Sequence, residues 1–188
     1  MQYSRCTDYE LLCRLIGRRS TNALYRGSLR RLLEETEKPP LAREKLAVAW
    51  ELMQRVIAEE LYAGPVFDSP TAVRNFLQLF FAGRTHESFV VLFLDNANRL
   101  IVAEEVFRGT LSQTSVYPRE IVKQALRLNA AAVMLSHNHP SGLAEPSRAD
   151  EYLTQTLKQA LTLIDVRVLD HLVVGGQTTT SFAERGLL

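Results

Sequence analysis

Two histidines, a serine and an aspartate lie close together in the second half of this 188-residue sequence. His137 and His139 follow an apolar run, and Ser147 and Asp150 come after a short segment rich in turn-forming residues. Imidazole nitrogens and a carboxylate oxygen are ligands that zinc binds in proteins, and three protein ligands leave one coordination position open. These four residues therefore predict a zinc site of the catalytic type, with a hydroxyl group beside it.

The elements expected around these residues bring them to one point. Residues 131–135 are typical of a buried strand, and alternate side chains of a strand face the same side, so His137 and His139 point the same way. Ser147 is expected as the N-cap of a helix whose first turn contains Asp150. Because open α/β sheets bind ligands at the carboxyl ends of their strands, we expect the site at this end of a central strand.

Each feature also has an ordinary structural explanation. Ser147 and Asp150 have the spacing of a capping box in which aspartate replaces the usual glutamate. The histidine pair alone could be a polar turn at the end of a strand. A capping role for Ser147 does not exclude a catalytic one, so both interpretations of this residue remain open.

The pattern H-x-H-P-S-G, then seven residues between His139 and Ser147, then S-x-x-D, resembles the JAMM motif of a metalloprotease superfamily, also called JAB or MPN+. Residues 66–188 are most similar to the RadC-like branch of that superfamily. The positions that carry this resemblance are 93–95, 109–110, 118–120, 125–126, 129–130, 137–142, 146–147, 150 and 170–171.

The resemblance implies a JAB/MPN-like mixed sheet flanked by helices, with Zn²⁺ held by His137, His139 and Asp150. It also implies a glutamate near the first strand of the domain, and Glu87 fits that position best. By family analogy Glu87 is the general base, and Ser147 could donate a hydrogen bond to the carbonyl oxygen under attack. The implied reaction is hydrolysis of an amide or isopeptide bond in a protein or peptide by a metal-activated water.

The assignment of Glu87 has alternatives. It could be a solvated glutamate at the start of a strand. Glu104 and Glu105, in the second apparent strand, are rivals for the role of base. Glu120 is a further rival, although it lies at a helix start, where a negative charge favours the helix dipole in any case.

Asp170 and His171 follow a strand-like run at 163–169. His171 could be a fourth metal ligand, or Asp170 could orient a zinc-bound imidazole from behind. The pair could also simply close the strand through hydrogen bonds to neighbouring loops.

The chain changes character near residue 65, so we expect two parts: a helical segment at 1–65 and a JAB/MPN-like domain at 66–188. Apolar residues at helical spacing predict helices in the first part, and alternating helices and strands predict an α/β domain in the second. The expected helices are 9–16, 24–33, 41–61, 69–81, 119–129 and 147–163, and the expected strands are 88–94, 100–107, the run before His137, and one or two near the end.

RadC-like proteins often carry a helix-hairpin-helix in the first part, with a Gly-x-Gly turn that approaches a nucleic-acid backbone. Residues 37–42 stand where this turn is expected and contain no glycine, so the segment is a degenerate version. Backbone amides at a glycine turn are the groups that bind phosphate. Because this segment lacks the glycines, nucleic-acid binding is weakly supported. The alternative function is nevertheless a nucleic-acid-associated DNA-repair accessory protein of RadC type, with a structural or vestigial metal site.

Composition is that of an ordinary globular protein. The chain is 46% hydrophobic, and a net charge of +1 gives no general signal for nucleic acid. Cys6 and Cys13 suit reduced thiols better than a disulfide framework. The start has no signal-peptide pattern, and no apolar run approaches the roughly 20 residues that span a bilayer. We therefore expect a cytoplasmic protein without a membrane partner.

Overall fold

The computed structural model describes residues 3–4, 6–29, 32, 39–66, 69–109 and 116–188. The chain divides into two compact units, Met1–Val56 and Ile57–Leu188. The predicted boundary between 65 and 66 stays a prediction. Among the described residues, no helix combines the length and the apolar character needed to cross a membrane.

The described residues of the first unit are mainly helical, as expected. Helix α1 spans Asp8–Ile16 and α2 spans Arg18–Leu24. Helix α3 spans Pro40–Ala63. The buried residues of this unit include Leu12, Ile16, Leu32 and Ala42.

The helix predicted over 24–33 is wrong at its start. Tyr25 has extended backbone angles and ends α2, because its φ of −81° and ψ of 121° cannot continue a helix. The amide of Leu32 donates to the Ser28 carbonyl at 3.2 Å, so helical bonding begins again further along the chain. Residues 30, 31 and 33 of this prediction, and 37 and 38 of the expected hairpin turn, lie outside the described residues.

The second unit is built on a five-stranded mixed sheet in the order β2-β1-β3-β4-β5. Strand β1 pairs antiparallel with both β2 and β3, β3 pairs parallel with β4, and β4 pairs antiparallel with β5. This arrangement confirms the predicted α/β class. The strands are β1 Ser88–Leu94, β2 Leu100–Arg108, β3 Ala132–Asn138, β4 Arg167–Gly175 and β5 Thr178–Ser181, and the remaining helices are α4 Pro70–Phe81, α5 Pro118–Arg127 and α6 Arg148–Thr162.

Helices cover both faces of this sheet, which explains why β1 and β3 are buried along their whole length. One face packs on α4, and its core includes Phe76, Leu77, Val90, Leu92, Met134 and Leu172. The other face packs on α5 and α6, and its core includes Phe89, Val91, Phe93, Ile121, Leu135 and Leu157. Because side chains alternate along a strand, His137 lies on the second face and Asn138 on the first.

The strands expected at 88–94 and 100–107 form an antiparallel hairpin. The Asp95 side chain accepts hydrogen bonds from the amides of Ala97 and Arg99, both at 2.9 Å. Asn98 takes a positive φ of 57°, which asparagine tolerates better than most residues. This tight turn fixes the register of β1 against β2.

The carboxyl end of β4 approaches the loop after β3 very closely. A Cβ atom built on Gly175 would lie 2.8 Å from the Gly142 carbonyl oxygen and closer still to the backbone of Leu143 and Ala144. Only a residue without a side chain fits there. Gly175 therefore sets how near the 142–144 loop lies to the sheet.

We predict that Gly175→Ala lowers the free energy of unfolding by about 1–3 kcal/mol, because backbone atoms must move to admit the new methyl group. Denaturant unfolding monitored by circular dichroism measures this change. Gly64→Ala is the matched control, because a Cβ atom at Gly64 meets nothing within 4 Å. Equal stability of the two variants would contradict the steric explanation.

Candidate metal centre

The structure brings the three predicted ligands together beyond the end of β3. The Nε2 atoms of His137 and His139 are 3.0 Å apart. Asp150 Oδ1 lies 3.4 Å from Nε2 of His137, and Asp150 Oδ2 lies 3.7 Å from Nε2 of His139. Ligand atoms bonded to zinc at about 2.0–2.1 Å in a tetrahedron stand roughly 3.3 Å from one another, so these separations suit a zinc ion.

The hydrogen bond of His139 determines which of its ring nitrogens faces the site. Its Nδ1 atom lies 2.8 Å from the carbonyl oxygen of Leu143. A carbonyl oxygen can only accept, so Nδ1 carries the hydrogen. In the neutral ring Nε2 then presents a lone pair to the site.

His137 is held by a longer chain of hydrogen bonds that leads to the same result. The Thr154 hydroxyl lies 2.6 Å from the Asp150 carbonyl oxygen, so it must donate to that oxygen. Thr154 Oγ1 therefore accepts from Nδ1 of His171 at 2.6 Å. Nε2 of His171 then accepts from Nδ1 of His137 at 2.8 Å. His137 is thereby left with a lone pair on Nε2, like His139.

Two lone pairs only 3.0 Å apart, beside a carboxylate, repel one another unless a cation lies among them. Among the described residues, His137, His139 and Asp150 form a group that could hold a metal ion. The donor set of two neutral imidazoles and one carboxylate suits Zn²⁺ and similar first-row metals. The residues present therefore fit the metal that the sequence predicted.

The electrostatics of the site also favour positive charge. Burial raises the pKa of the Asp150 carboxyl, but His137 and His139, when their rings carry a positive charge, outweigh burial and hold this pKa well below its usual value. The Asp150 carboxylate raises the pKa of His139 against the opposing effect of burial. Burial holds the pKa of His171 far below its usual value, so this ring is neutral, as the hydrogen-bond chain requires.

Ser147 caps α6 as predicted, through a complete capping box. Its Oγ atom accepts from the amide of Asp150 at 3.2 Å, and Asp150 Oδ2 accepts from the amide of Ser147 at 2.7 Å. The Ser147 hydroxyl also donates to Asp150 Oδ2 at 2.7 Å. The cap therefore fixes the Asp150 carboxylate at the site and leaves Ser147 Oγ next to it.

A cleft of about 700 Å³ opens beside the ligands. Glu87 lines it, and its charge adds to the larger effect of Asp150 in raising the pKa of His139. The other lining residues are Phe89, Val116, Tyr117, Pro118, His139, Ser147, Ala149, Asp150, Tyr152, Leu153 and Thr156.

The three rival glutamates lie in ion pairs outside the residues that line this cleft. Glu104 pairs with Arg127 at 2.9 Å. Glu105 pairs with Arg84 at 2.7 Å, and Glu120 pairs with Lys123 at 3.0 Å. Of the four glutamates considered from the sequence, Glu87 is the one that lines the same cleft as His139 and Asp150.

Asp170 makes hydrogen bonds to neighbouring segments, which is the third interpretation considered from the sequence, and His171 rather than Asp170 lies behind an imidazole. His171 lies behind His137, and its Nε2 atom accepts a hydrogen bond from Nδ1 of His137. The Asp170 carboxylate accepts from the amides of His171 and Ala183 and from the Ser181 hydroxyl, at 2.6–2.9 Å. It thus orients the backbone of β4 rather than an imidazole. Sequence reasoning missed Thr154, although it lies one helical turn after Asp150.

Comparisons with known proteins show which family this chain resembles. Residues 67–187 match the family model described as "RadC-like JAB domain". A "UPF0758 protein" of Leptothrix cholodnii is 63% identical over 149 residues, which is 79% of this chain and 67% of that protein. A UPF0758 protein of Herminiimonas arsenicoxydans is 57% identical over 169 residues, which is 90% of this chain and 75% of that protein. One from an Acidovorax species is 61% identical, and the chain spans 63% of its length.

We predict that Thr154→Val weakens zinc binding by about 10–100-fold, because the buried chain that holds the His137 tautomer is broken. Competition with a coloured chelator measures the affinity. Thr162→Val is the matched control, since the Thr162 hydroxyl makes the same kind of bond, to the Lys158 carbonyl at 2.7 Å, at the far end of α6. If both variants bind zinc like the wild type, the hydrogen bonds from Thr154 through His171 to His137 do not contribute to zinc affinity.

Proposed function

This chain belongs to the RadC-like JAB domain family, and from that premise we propose that it is a zinc-dependent hydrolase. It would cleave an amide or isopeptide bond in a protein or peptide with a metal-activated water. The observation that carries the proposal is the convergence of two imidazole lone pairs and a carboxylate beside a cleft that Glu87 also lines. The two free thiols, Cys6 and Cys13, are consistent with a cytoplasmic location, which we also propose.

His137, His139 and Asp150 are the proposed ligands of the ion. When bound, Zn²⁺ would supply Lewis-acid chemistry, lowering the pKa of a coordinated water from about 15.7 towards 7. The protein contributes a rigid ligand set, because each ligand is itself hydrogen-bonded to the fold. Ligands held in this way reach the geometry that the ion requires without further ordering.

Glu87 is the proposed general base and acid. Its carboxylate would take a proton from the attacking water and pass it to the amide nitrogen as the C–N bond breaks. A base of this kind must lie near both the water and the leaving group. Its place in the cleft with His139 and Asp150 supports that role.

Ser147 is the proposed donor to the carbonyl oxygen of the substrate. Its hydroxyl hydrogen now points to Asp150 Oδ2, 2.7 Å away. Rotation about the Cβ–Oγ bond would turn that hydrogen toward the cleft without moving the oxygen. Asp150 Oδ2 keeps the amide of Ser147 as a partner, so this rotation leaves the aspartate in place.

The lining of the cleft is suited to a stretch of polypeptide. Phe89, Tyr117, Tyr152 and Leu153 give it apolar and aromatic walls, while its ionisable groups lie beside the proposed ligands. Sites with apolar walls and a few convergent polar groups are typical of clefts that bind and orient substrates. A peptide or isopeptide segment fits this chemistry.

We predict that the zinc-loaded protein cleaves a quenched fluorescent peptide containing a glycine–lysine isopeptide bond, or its α-peptide isomer. Glu87→Gln keeps one equivalent of zinc but loses about 100-fold or more in kcat, because the proton acceptor is gone. A chelator abolishes cleavage, and zinc restores it. His137→Ala is the control that loses the metal, and equal cleavage by wild type and Glu87→Gln would remove Glu87 from the mechanism.

We predict two separable effects for Ser147→Ala. Loss of the cap lowers the free energy of unfolding by about 1 kcal/mol, and loss of the donor lowers kcat by roughly 100-fold. Thr7→Ala is the matched control, because Thr7 forms the same capping box on α1. It should lower the stability of α1 and leave kcat unchanged; an unchanged kcat in Ser147→Ala would rule out the donor role.

A further inference from the structure

Asn138 lies between the two histidine ligands in sequence, yet its side chain is on the opposite face of the sheet. It is only 4% exposed, and both ends of its amide group are hydrogen-bonded. Its Oδ1 atom accepts from the amide of Ser88 at 2.8 Å, and its Nδ2 atom donates to the carbonyl of His86 at 3.0 Å. The amide therefore bonds to the residues on both sides of Glu87.

This contact begins where the backbone pairing of β1 with β3 stops. The last backbone pair between these strands is Phe89 with His137. Beyond it β3 follows β4, because Asn138 pairs with Val174 and the amide of His139 donates to the Val174 carbonyl at 2.8 Å. Beyond the pair of Phe89 with His137, the backbone of β3 no longer bonds to the residues that precede Phe89. The side-chain amide of Asn138 makes hydrogen bonds to them instead.

The backbone around Glu87 is also held from the side of β2. The Glu87 carbonyl accepts from the amide of Gly109 at 2.8 Å. The Ser88 hydroxyl donates to the Glu105 carboxylate at 2.9 Å. With Asn138 on the other side, residues 86–88 are fixed between two strands, so the position of the Glu87 backbone depends on both.

We propose that Asn138 is a positioning residue that sets where Glu87 stands relative to the metal ligands. This inference rests on the proposed function, in which Glu87 is the base. A carboxamide presents one donor and one acceptor side by side, as a peptide group does, and so matches the His86 carbonyl and the Ser88 amide together. Because Asn138 belongs to the same strand as His137, it links the base to the ligands through one rigid element.

Asparagine fits this place better than its nearest relatives. Aspartate keeps an acceptor for the Ser88 amide, but its second oxygen would face the His86 carbonyl and repel it. Alanine removes both bonds and leaves two buried backbone groups without their side-chain partner. Either change frees residues 86–88 on one side while leaving the metal ligands themselves intact.

The test compares Asn138→Ala and Asn138→Asp with Ser136→Ala in the zinc-loaded protein. Ser136 is the matched control because it lies on the same face of β3, is fully buried, and makes one side-chain hydrogen bond, to the Leu172 carbonyl at 2.7 Å. We expect both Asn138 variants to lose about 100-fold in kcat on the isopeptide probe, because a base displaced by about 1 Å costs that much. KM and zinc stoichiometry stay near wild type, and Ser136→Ala keeps its kcat.

A second measurement does not depend on turnover. Acetohydroxamic acid is a small metal chelator whose hydroxamate group also hydrogen-bonds to a carboxylate beside the ion. We expect Glu87→Gln and both Asn138 variants to weaken its binding to the zinc-loaded protein by about 10-fold or more, as loss of a hydrogen bond to a charged group does. Ser136→Ala binds it like the wild type, and whichever Asn138 variant folds is sufficient for the comparison.

The outcomes separate this inference from the proposed function. If Glu87→Gln weakens hydroxamate binding or turnover and the Asn138 variants do not, the positioning role is overturned and the proposed function stands. If Glu87→Gln changes neither hydroxamate binding nor turnover, Glu87 is not the base. The inference about Asn138 is then overturned as well. If Ser136→Ala loses as much kcat as Asn138→Ala, the effect of Asn138 is general destabilisation, and the inference is again overturned.

Discussion

The site depends on one buried chain of hydrogen bonds, whose direction is set by a carbonyl oxygen. The Asp150 carbonyl can only accept, so Thr154, His171 and His137 must each donate in turn along the chain. His171 has no exposed surface and stacks on Phe182 at 4.6 Å between ring centroids, which keeps it neutral and in place. A buried group left without a partner costs about 1–3 kcal/mol, so the chain is stable only when it is complete. It joins both ends of the ligand set, since Asp150 starts it and His137 ends it.

The sheet determines where this chain can exist. Strand β3 is the point at which the sheet changes from antiparallel to parallel pairing, with β1 on one side and β4 on the other. Because β4 runs parallel to β3, His171 can lie beside His137 from behind, and α6 can pass over both strands. Because β1 runs antiparallel, its beginning meets the end of β3, and Glu87 is delivered to the same edge. Strand β3, with an antiparallel neighbour on one side and a parallel neighbour on the other, therefore brings Glu87, His137 and His171 together from three parts of the chain.

Local patterns in the sequence predicted the part of the site that is local. Residue alternation placed His137 and His139 together, and the S-x-x-D spacing predicted the cap that fixes Asp150; both are confirmed. Partners that meet only through packing were not predictable in this way. His171 and Thr154 are 17 residues apart and meet because α6 packs on β4, and Asn138 reaches Ser88 across 50 residues of chain. The alternation of side chains along a strand indicates the face on which each side chain lies. It does not identify the residue from another element that packs against it.

The stretch from His137 to Asp150 is only fourteen residues long, and its length determines how much entropy is lost when the proposed ligands are brought together. Closing a loop becomes costlier only slowly with its length, by about 0.6 kcal/mol for each doubling, but a short loop also needs few other elements to be in place. The β3–loop–α6 segment carries all three proposed ligands in one short stretch, whereas Glu87 reaches the site only through the pairing of β1 with β3. Loop closure therefore costs less for the proposed ligands than for the base, which is brought in from a distant part of the chain.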